Sequence, residues 1–375
     1  MKTDYLIVGA GFTGSVLAER IASQLEKKVL VVEKRGHVGG NAYDYYEDHG
    51  ILIHKYGPHI FHTNSKKVWD YLSRFTEWRT YYHEVLAVIE GKKVPVPFNL
   101  NSLHALFPPD RAARLEEELI QQFGLGTKIS ILKLQDAASG ELKSLADYIY
   151  RNVFFGYTRK QWDLDPHQLS PSVLGRVPVH ISRDNRYFQD VYQGIPRFGY
   201  TKIFDKLLNH ENIEVALNTD YRTVRDSVRH GRMIFTGPID EYFDFIHGEL
   251  PYRSLRFDLQ YTNAAWAQEV GTINYPNENE FTRITEFKRL TGQTVEGTVT
   301  ATEYPEAYRK GINIPYYPIP AEANDQVLAK YQAEIRKLNG TVLFAGRLAD
   351  YTYYNMDQAV ARALTVFEKE IDDRA

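Results

Sequence analysis

Three features of the 375-residue sequence predict an α/β fold. A short apolar run at the N-terminus meets a glycine-rich turn that opens a helix. A second strand–helix unit closes the chain. Between them lie a helical stretch and a long run of short alternating segments. These predict a Rossmann-like dinucleotide-binding domain made of both chain ends, with a helical insertion domain and an antiparallel sheet domain. The boundaries read as 1–80 and 331–375 for the Rossmann-like domain and 100–195 for the mainly helical, substrate-binding domain. The sheet domain takes 81–99 and 196–330.

Each element has its own signal. Tyr5-Leu6-Ile7-Val8 reads as a buried strand and runs into Gly9-Ala10-Gly11-Phe12-Thr13-Gly14. Ser15 to Ala22 carries apolar residues at helical spacing, and Lys28 to Glu33 reads as a second strand ending in an acid. In such a unit Gly9 permits the tight turn, Gly11 lets the backbone approach a pyrophosphate, and Gly14 lets the helix pack on the strand. The helix N-terminus offers unpaired N–H groups to phosphate, and Glu33 can accept from ribose hydroxyls. Asp110 to Gln122, after Pro108-Pro109, reads as a helix with Leu115, Leu119 and Ile120 on one face. Ser144 to Phe155 reads as another, with Ser144 as its cap and Asp147 three residues on. Arg232 to Phe235, Ser254 to Leu259 and Glu296 to Thr302 read as antiparallel strands. Thr341 to Arg347 reads as a strand ending in Gly-Arg, followed by a helix from Asp357 to Leu364.

Composition narrows the function. The chain has 45 Lys+Arg against 48 Asp+Glu, a net charge of -3, which argues against nucleic-acid binding. It contains no cysteine, so disulfides, thiolate metal sites and thiol nucleophiles are excluded, and no metal is expected. No apolar run nears the ~20 residues that span a bilayer, so no membrane insertion is expected. The N-terminus enters a strand directly, which reads as no secretory signal and a cytoplasmic enzyme. The 27 tyrosines offer flat faces with polar tips, suited to sugars and nucleobases but equally to cores.

The second glycine turn selects the cofactor. After Glu33 comes Lys34-Arg35-Gly36-His37-Val38-Gly39-Gly40-Asn41, and an acid followed by Gly-Gly resembles the FAD-binding proteins of the glutathione-reductase and amine-oxidase type. In that class the last strand–helix unit returns to the first domain, where its helix N-terminus can stabilise negative charge on a reduced isoalloxazine. The fold class is therefore an FAD-binding Rossmann-like α/β domain.

Several further segments carry a closer resemblance. They are Gly57-Pro58-His59-Ile60-Phe61-His62-Thr63, Gly156-Tyr157-Thr158-Arg159-Lys160-Gln161-Trp162, Arg176-Val177-Pro178-Val179 and Asn185-Arg186-Tyr187-Phe188. Thr236 to Phe243, Phe281 to Glu286, and Gly346-Arg347-Leu348 through Tyr353-Tyr354-Asn355-Met356-Asp357 follow in the same order. Together they resemble the bacterial UDP-galactopyranose mutase family over nearly the whole chain.

That resemblance implies a redox-neutral isomerase of the intramolecular-transferase kind. It would interconvert UDP-galactopyranose and UDP-galactofuranose by ring contraction, with N5 of reduced FAD as nucleophile on the anomeric carbon. It carries the diphosphate clamp onto Arg176 and Arg283 and a catalytic contact with the flavin onto His59; His62 beside it stays open. It carries uridine recognition onto His83, Thr158, Trp162, Tyr187 and Phe188. Sugar contacts fall on Tyr317, Arg347, Tyr353 and Asn355, with Tyr316 as the neighbouring alternative. Cofactor contacts fall on Gly9, Gly11, Phe12, Thr13, Gly14, Glu33, Lys34, Gly40, Asn41, His59, Ile60, Arg347, Tyr354, Asn355 and Met356. Bacterial relatives are commonly dimers, so a homodimer or higher homo-oligomer serving cell-envelope glycan synthesis is expected.

The sequence departs from the family at three positions. Asn355 stands where many members carry Asp, His83 where Asn is expected, and Val153 where relatives carry Phe. Asn355 can hydrogen bond but not carry charge. Other readings compete. An FAD amine oxidase shares the N-terminal unit but has no use for paired arginines beside Trp162. A mutase of the N-acetyl sugar analogue would differ only near the sugar C2. A flavin-binding regulatory protein would tolerate loss of the arginine pair.

Overall fold

The structure, a computed structural model, describes residues 2–137, 139–170, 175 and 177–372. A five-stranded parallel sheet forms its centre. Its strands run in the order Ile213–Ala216, Val29–Val32, Lys2–Val8, Arg229–Phe235, Val342–Phe344. Val29–Val32 is buried at every position, as expected of a strand covered on both faces. The first helix, Phe12–Leu25, and the terminal helix, Met356–Val366, pack together over one face of this sheet. Val16, Leu17, Ile21, Val360, Ala363 and Leu364 form their shared core.

One strand differs from the sequence expectation. Arg232 to Phe235 belongs to the parallel sheet, paired with Lys2–Val8 on one side and Val342–Phe344 on the other. Met233, Ile234 and Phe235 are all buried, so the run is continuous and not alternating. A continuous apolar run does not reveal which sheet it enters. The stretch 196–330 therefore supplies two strands to the dinucleotide sheet as well as most of the larger sheet.

That larger sheet has seven strands, ordered Tyr317–Pro318, Tyr252–Thr262, Thr298–Ala307, Arg283–Glu286, Thr272–Asn274, Val85–Ile89, Lys92–Val96. All its pairings are antiparallel except the one joining Thr272–Asn274 to Val85–Ile89. The expected segment at 254–259 lies within Tyr252–Thr262, and the one at 296–302 overlaps Thr298–Ala307, which starts two residues later; these are its two longest strands.

The helical stretch has its own core. Helix Pro109–Phe123 begins with Pro inside its first turn and buries Ala112, Leu115 and Leu119. The next long helix is Gly140–Ile149, not one capped at Ser144. Leu142, Leu145, Ala146 and Ile149 are buried at helical spacing, so the apolar stripe starts before Ser144 and carries the helix upstream of it. A widened turn at Tyr150–Phe155 then leads into helix Gly156–Trp162. Among the described residues no helix is long and apolar enough to cross a membrane.

Candidate functional site: two adjoining cavities

Both sheet-packed helices point their N-termini at the same end of the parallel sheet, where the first cavity lies. The backbone builds it. Gly9 leaves the first strand at φ +102°, a conformation that side chains disfavour, and a Cβ there would meet Thr236 Oγ1 at 2.2 Å. A Cβ on Gly14 would lie 1.9 Å from the Gly9 carbonyl oxygen, so helix and turn pack without room for a methyl. Gly11 is different. Its Cβ would meet only Gly40 Cα, at 3.8 Å, and Gly11 lines the cavity. The space above it is reserved from no protein atom, which is what a pyrophosphate approaching the helix N-terminus needs. No side chain caps that helix.

Glu33 is fixed from two sides. Ala10 N donates to Oε2 and Arg35 N to Oε1, both at 2.9 Å. Each oxygen keeps a lone pair for a ribose hydroxyl. Of the residues expected to contact the cofactor, Phe12, Thr13, Lys34, Gly40, Asn41, His59, Arg347 and Met356 line this cavity with the three glycines and Glu33. Ile60 and Asn355 line the second cavity instead, and Tyr354 lines neither. Tyr354 meets the site through its carbonyl, which accepts from Arg347 Nη2 at 2.5 Å. Gly39 of the second glycine turn lines the wall as well, and so do Arg35, Thr219 and Asp220, to which sequence reasoning gave no cofactor role. Arg35 donates to Asn41 Oδ1 at 3.0 Å and lies over the Tyr56 ring, and its Nη1 is buried without a partner among the described residues. Thr236, Gly237 and Pro238 line it too, within a stretch that carried the resemblance.

The second cavity adjoins the first. Asn41, His59, Arg347, Met356 and Tyr316 line both. Its floor comes from the large sheet. Arg283 opens one strand and Glu303 sits opposite it on the next, in register. Arg283 Nε and Nη2 donate to Glu303 Oε2 at 2.8 and 2.6 Å, and Thr282 Oγ1 donates to Oε1 at 3.0 Å. Glu303 is 1% exposed. Burial alone would lower the Arg283 pKa; the Glu303 carboxylate overrides it and holds the guanidinium well above its ordinary value. The arginine is therefore permanently charged and fixed in orientation.

Three aromatic rings stand beside it. Tyr317 and Tyr353 lie 4.9 Å apart, and Trp162 packs against both at 6.2 and 5.9 Å. Arg347 lies over the two tyrosine rings at 5.7 and 5.5 Å. Burial and the neighbouring Tyr353 push the Tyr317 hydroxyl well above its ordinary pKa, so it stays protonated and able to donate.

A side cavity continues from Arg283 between Thr158, Trp162 and Tyr187, with Val153 and Asn274 in its wall. Phe188 is not in this group. It lines the second cavity, stacked on His62 at 3.6 Å, while His62 Nδ1 pairs with Asp190 Oδ2 at 2.8 Å. His83 lies beneath the same cavity, bonded to the Tyr81 hydroxyl at 3.2 Å. His59 bonds through Nδ1 to the Gly57 carbonyl at 2.7 Å, which places its proton on Nδ1 and leaves Nε2 as an acceptor. Burial holds both His59 and His83 at about 3, so both are neutral in ordinary buffers. Arg176 lies outside the described residues; its neighbours Gly175 and Val177 line the second cavity. Among the described residues no cluster could hold a metal ion.

Comparison with known proteins gives these cavities a context. A family model described as UDP-galactopyranose mutase matches residues 152–353, and one described as an NAD(P)-binding Rossmann-like domain matches residues 7–75. The UDP-galactopyranose mutase of Mycoplasma pneumoniae is 33% identical over 98% of this chain and 96% of its own. The dTDP-fucopyranose mutase of Escherichia coli is 34% identical over 96% of each. A crystal structure of reduced UDP-galactopyranose mutase superposes with TM-score 0.70 at 16% identity, covering 98% of this chain and 95% of the other. A redesigned putrescine oxidase superposes with TM-score 0.59 at 12% identity over 98% of each, a likeness of fold alone.

Proposed function

The chain belongs to the UDP-galactopyranose mutase family of isomerases, and we propose from that premise that it interconverts UDP-galactopyranose and UDP-galactofuranose. One observation carries the reading. A cradle shaped for a dinucleotide shares a wall with a cavity that holds Arg283 and Arg347 among tyrosines. That arrangement suits a nucleotide-sugar lying against the ring end of a flavin.

The cradle fits FAD. Gly11 leaves its approach face open, Glu33 offers acceptor oxygens, and two helix N-termini converge there. Reduced FAD, when bound, would supply an electron pair at N5 that can replace the departing UDP at the anomeric carbon and be displaced again when UDP returns, leaving the flavin's oxidation state unchanged.

The chain's own groups do the rest. Arg283 and Arg347 bind the diphosphate as its charge grows on leaving C1. Because Glu303 pairs directly with Arg283 and offsets its charge, one arginine cannot hold a dianion alone; Arg347, with Arg176, supplies the balance. Tyr317 and Tyr353 flank the sugar, orient its hydroxyls and exclude water. Neutral His59 offers Nε2 as an acceptor at the wall between the cavities, where it can orient a flavin or sugar N–H or O–H. Thr158, Trp162 and Tyr187 enclose the base.

A second reading has a specific support: the dTDP-fucopyranose mutase is as similar as the galactose enzyme. The same test decides between them. The dithionite-reduced protein is incubated separately with UDP-galactopyranose, UDP-galactofuranose and dTDP-fucopyranose, and the products are resolved by anion-exchange chromatography. Interconversion of the two UDP-galactose forms is expected. Turnover of dTDP-fucopyranose alone would replace this substrate with the other, and turnover of none would remove the activity.

A further inference from the structure

Two walls of the substrate cavity come from distant parts of the chain. Helix Gly156–Trp162 brings Thr158 and Trp162. The turn at 275–282 joins strands Thr272–Asn274 and Arg283–Glu286, and the residues facing each other at its base, Asn274 and Arg283, line the same cavity. Any drift between helix and turn moves the arginine relative to the base-enclosing residues.

Lys160 bridges them. It lines neither the second cavity nor the side cavity, and its Nζ donates to the carbonyl oxygens of Tyr275, of Asn279 at 2.9 Å and of Phe281 at 3.1 Å. An ammonium has three protons, and here each meets an acceptor on the same turn. The turn closes on itself through Tyr275 N to the Thr282 carbonyl at 2.8 Å. Two independent contacts mark the same joint. A Cβ on Gly156 would lie 2.4 Å from the Pro276 carbonyl oxygen, so the helix start sits directly on the turn. Asn277 Nδ2 donates to the Asn152 carbonyl at 3.1 Å. From the opposite side Arg253, 5% exposed, donates through Nε to the Gln161 carbonyl at 2.9 Å and through Nη2 to that of Lys160 at 3.3 Å. Burial lowers the Lys160 pKa to about 8, which still leaves the ammonium mostly charged at neutral pH.

We propose that Lys160 is a positioning residue whose ammonium ties the 275–282 turn to helix Gly156–Trp162, fixing Arg283 relative to Thr158 and Trp162 and so setting affinity for the nucleoside diphosphate. The inference rests on the reading that this cavity receives a nucleoside diphosphate. Arg283 stays anchored on Glu303, so losing the tie shifts the wall that encloses the base, a part of the substrate that does not react, and acts on ground state and transition state alike. Loss of the tie raises KM and leaves kcat nearly unchanged.

The test uses the flavin-loaded protein with UDP as the probe. Lys160→Met keeps the length and removes the charge; Lys160→Arg restores a cation. Lys160→Met is expected to raise the calorimetric Kd for UDP and the KM about tenfold. Its kcat should stay within about twofold of the parent and its flavin content should be unchanged. Lys160→Arg should recover most of the loss. Gly156→Ala, which wedges the same joint without touching charge, should also raise the Kd for UDP, and it decides the matter should Lys160→Met fail to fold. Unchanged UDP affinity in the folded variants overturns the proposal, as does a fall in kcat at constant KM. Equal damage from Met and Arg overturns it too. Failure of the parent protein to bind UDP would overturn the cavity assignment itself, and is distinguishable for that reason.

Discussion

The dinucleotide cradle and the cavity proposed for the substrate share a wall, yet they are made of different material. The cradle is backbone: a turn at positive φ, a glycine with no room for Cβ, another facing open space, and helix N-termini. The second cavity is side chains, drawn mainly from the 56–62, 83–85, 157–162, 187–190, 272–283, 316–317 and 347–357 stretches. A backbone site is tuned by what is missing. A side-chain site is tuned by what holds each group still, as Glu303 holds Arg283. Substitutions should therefore fail in different ways in the two regions.

The largest effect is expected in the cradle. Gly11→Val fills the approach space and should abolish flavin binding, with little change in the melting temperature of the flavin-free protein. Gly14→Ala should act on the fold instead, because its Cβ meets a carbonyl at 1.9 Å. It should cost about 1–3 kcal/mol in denaturant titrations. A Gly11→Val protein that retains full flavin absorbance would break the distinction. In the cavity, Arg283→Ala should keep flavin and lose turnover by on the order of 10²–10³, the scale of removing one charged donor from a transition state. It should also destabilise the fold by about 3–5 kcal/mol, because Glu303 is left buried and unpaired. Adding Glu303→Gln should recover stability and not turnover. Recovery of both together would mean that the arginine serves only the fold.

A smaller effect, common to both regions, is set by pH. Burial holds His54, His59 and His83 at about 3. An unfolded histidine titrates near 6.5. Between those values the unfolded chain binds protons that the folded one refuses, so stability rises with pH. The contribution is complete above about 6.5 and declines as pH falls toward 3. The melting temperature at pH 5 should lie below that at pH 7.5, and equal values would contradict the neutral assignment. The smallest effect is expected at Asn355, which lies at the N-terminus of the last helix and lines the cavity. Asn355→Asp adds a charge favoured by the helix dipole, worth about 0.3–1 kcal/mol, and should change kcat/KM by no more than about fivefold.

The same contrast explains what could be read from the sequence. The roles of Gly9, Gly11 and Gly14 follow from local geometry, so spacing alone separates the turn, the approach and the packing glycine. Arg283 could be named as a diphosphate ligand only through resemblance, because Glu303 is far from it in sequence and adjacent only through sheet register. Trp162 could be proposed as a uridine contact only through resemblance, and its packing on Tyr317 and Tyr353 depends on how helix Gly156–Trp162 docks. Arg232 to Phe235 was misassigned because three consecutive buried residues fit either sheet. Ser144 was mistaken for a cap because its spacing to Asp147 mimics one inside a helix that begins earlier.

The reading as a whole depends on a reduced flavin acting beside a nucleotide-sugar. The most direct measurement follows UDP-galactofuranose incubated with flavin-loaded protein, with and without dithionite, by chromatography of UDP-galactopyranose. Conversion with reductant and none without it is the predicted result. Equal rates in both samples would contradict the account.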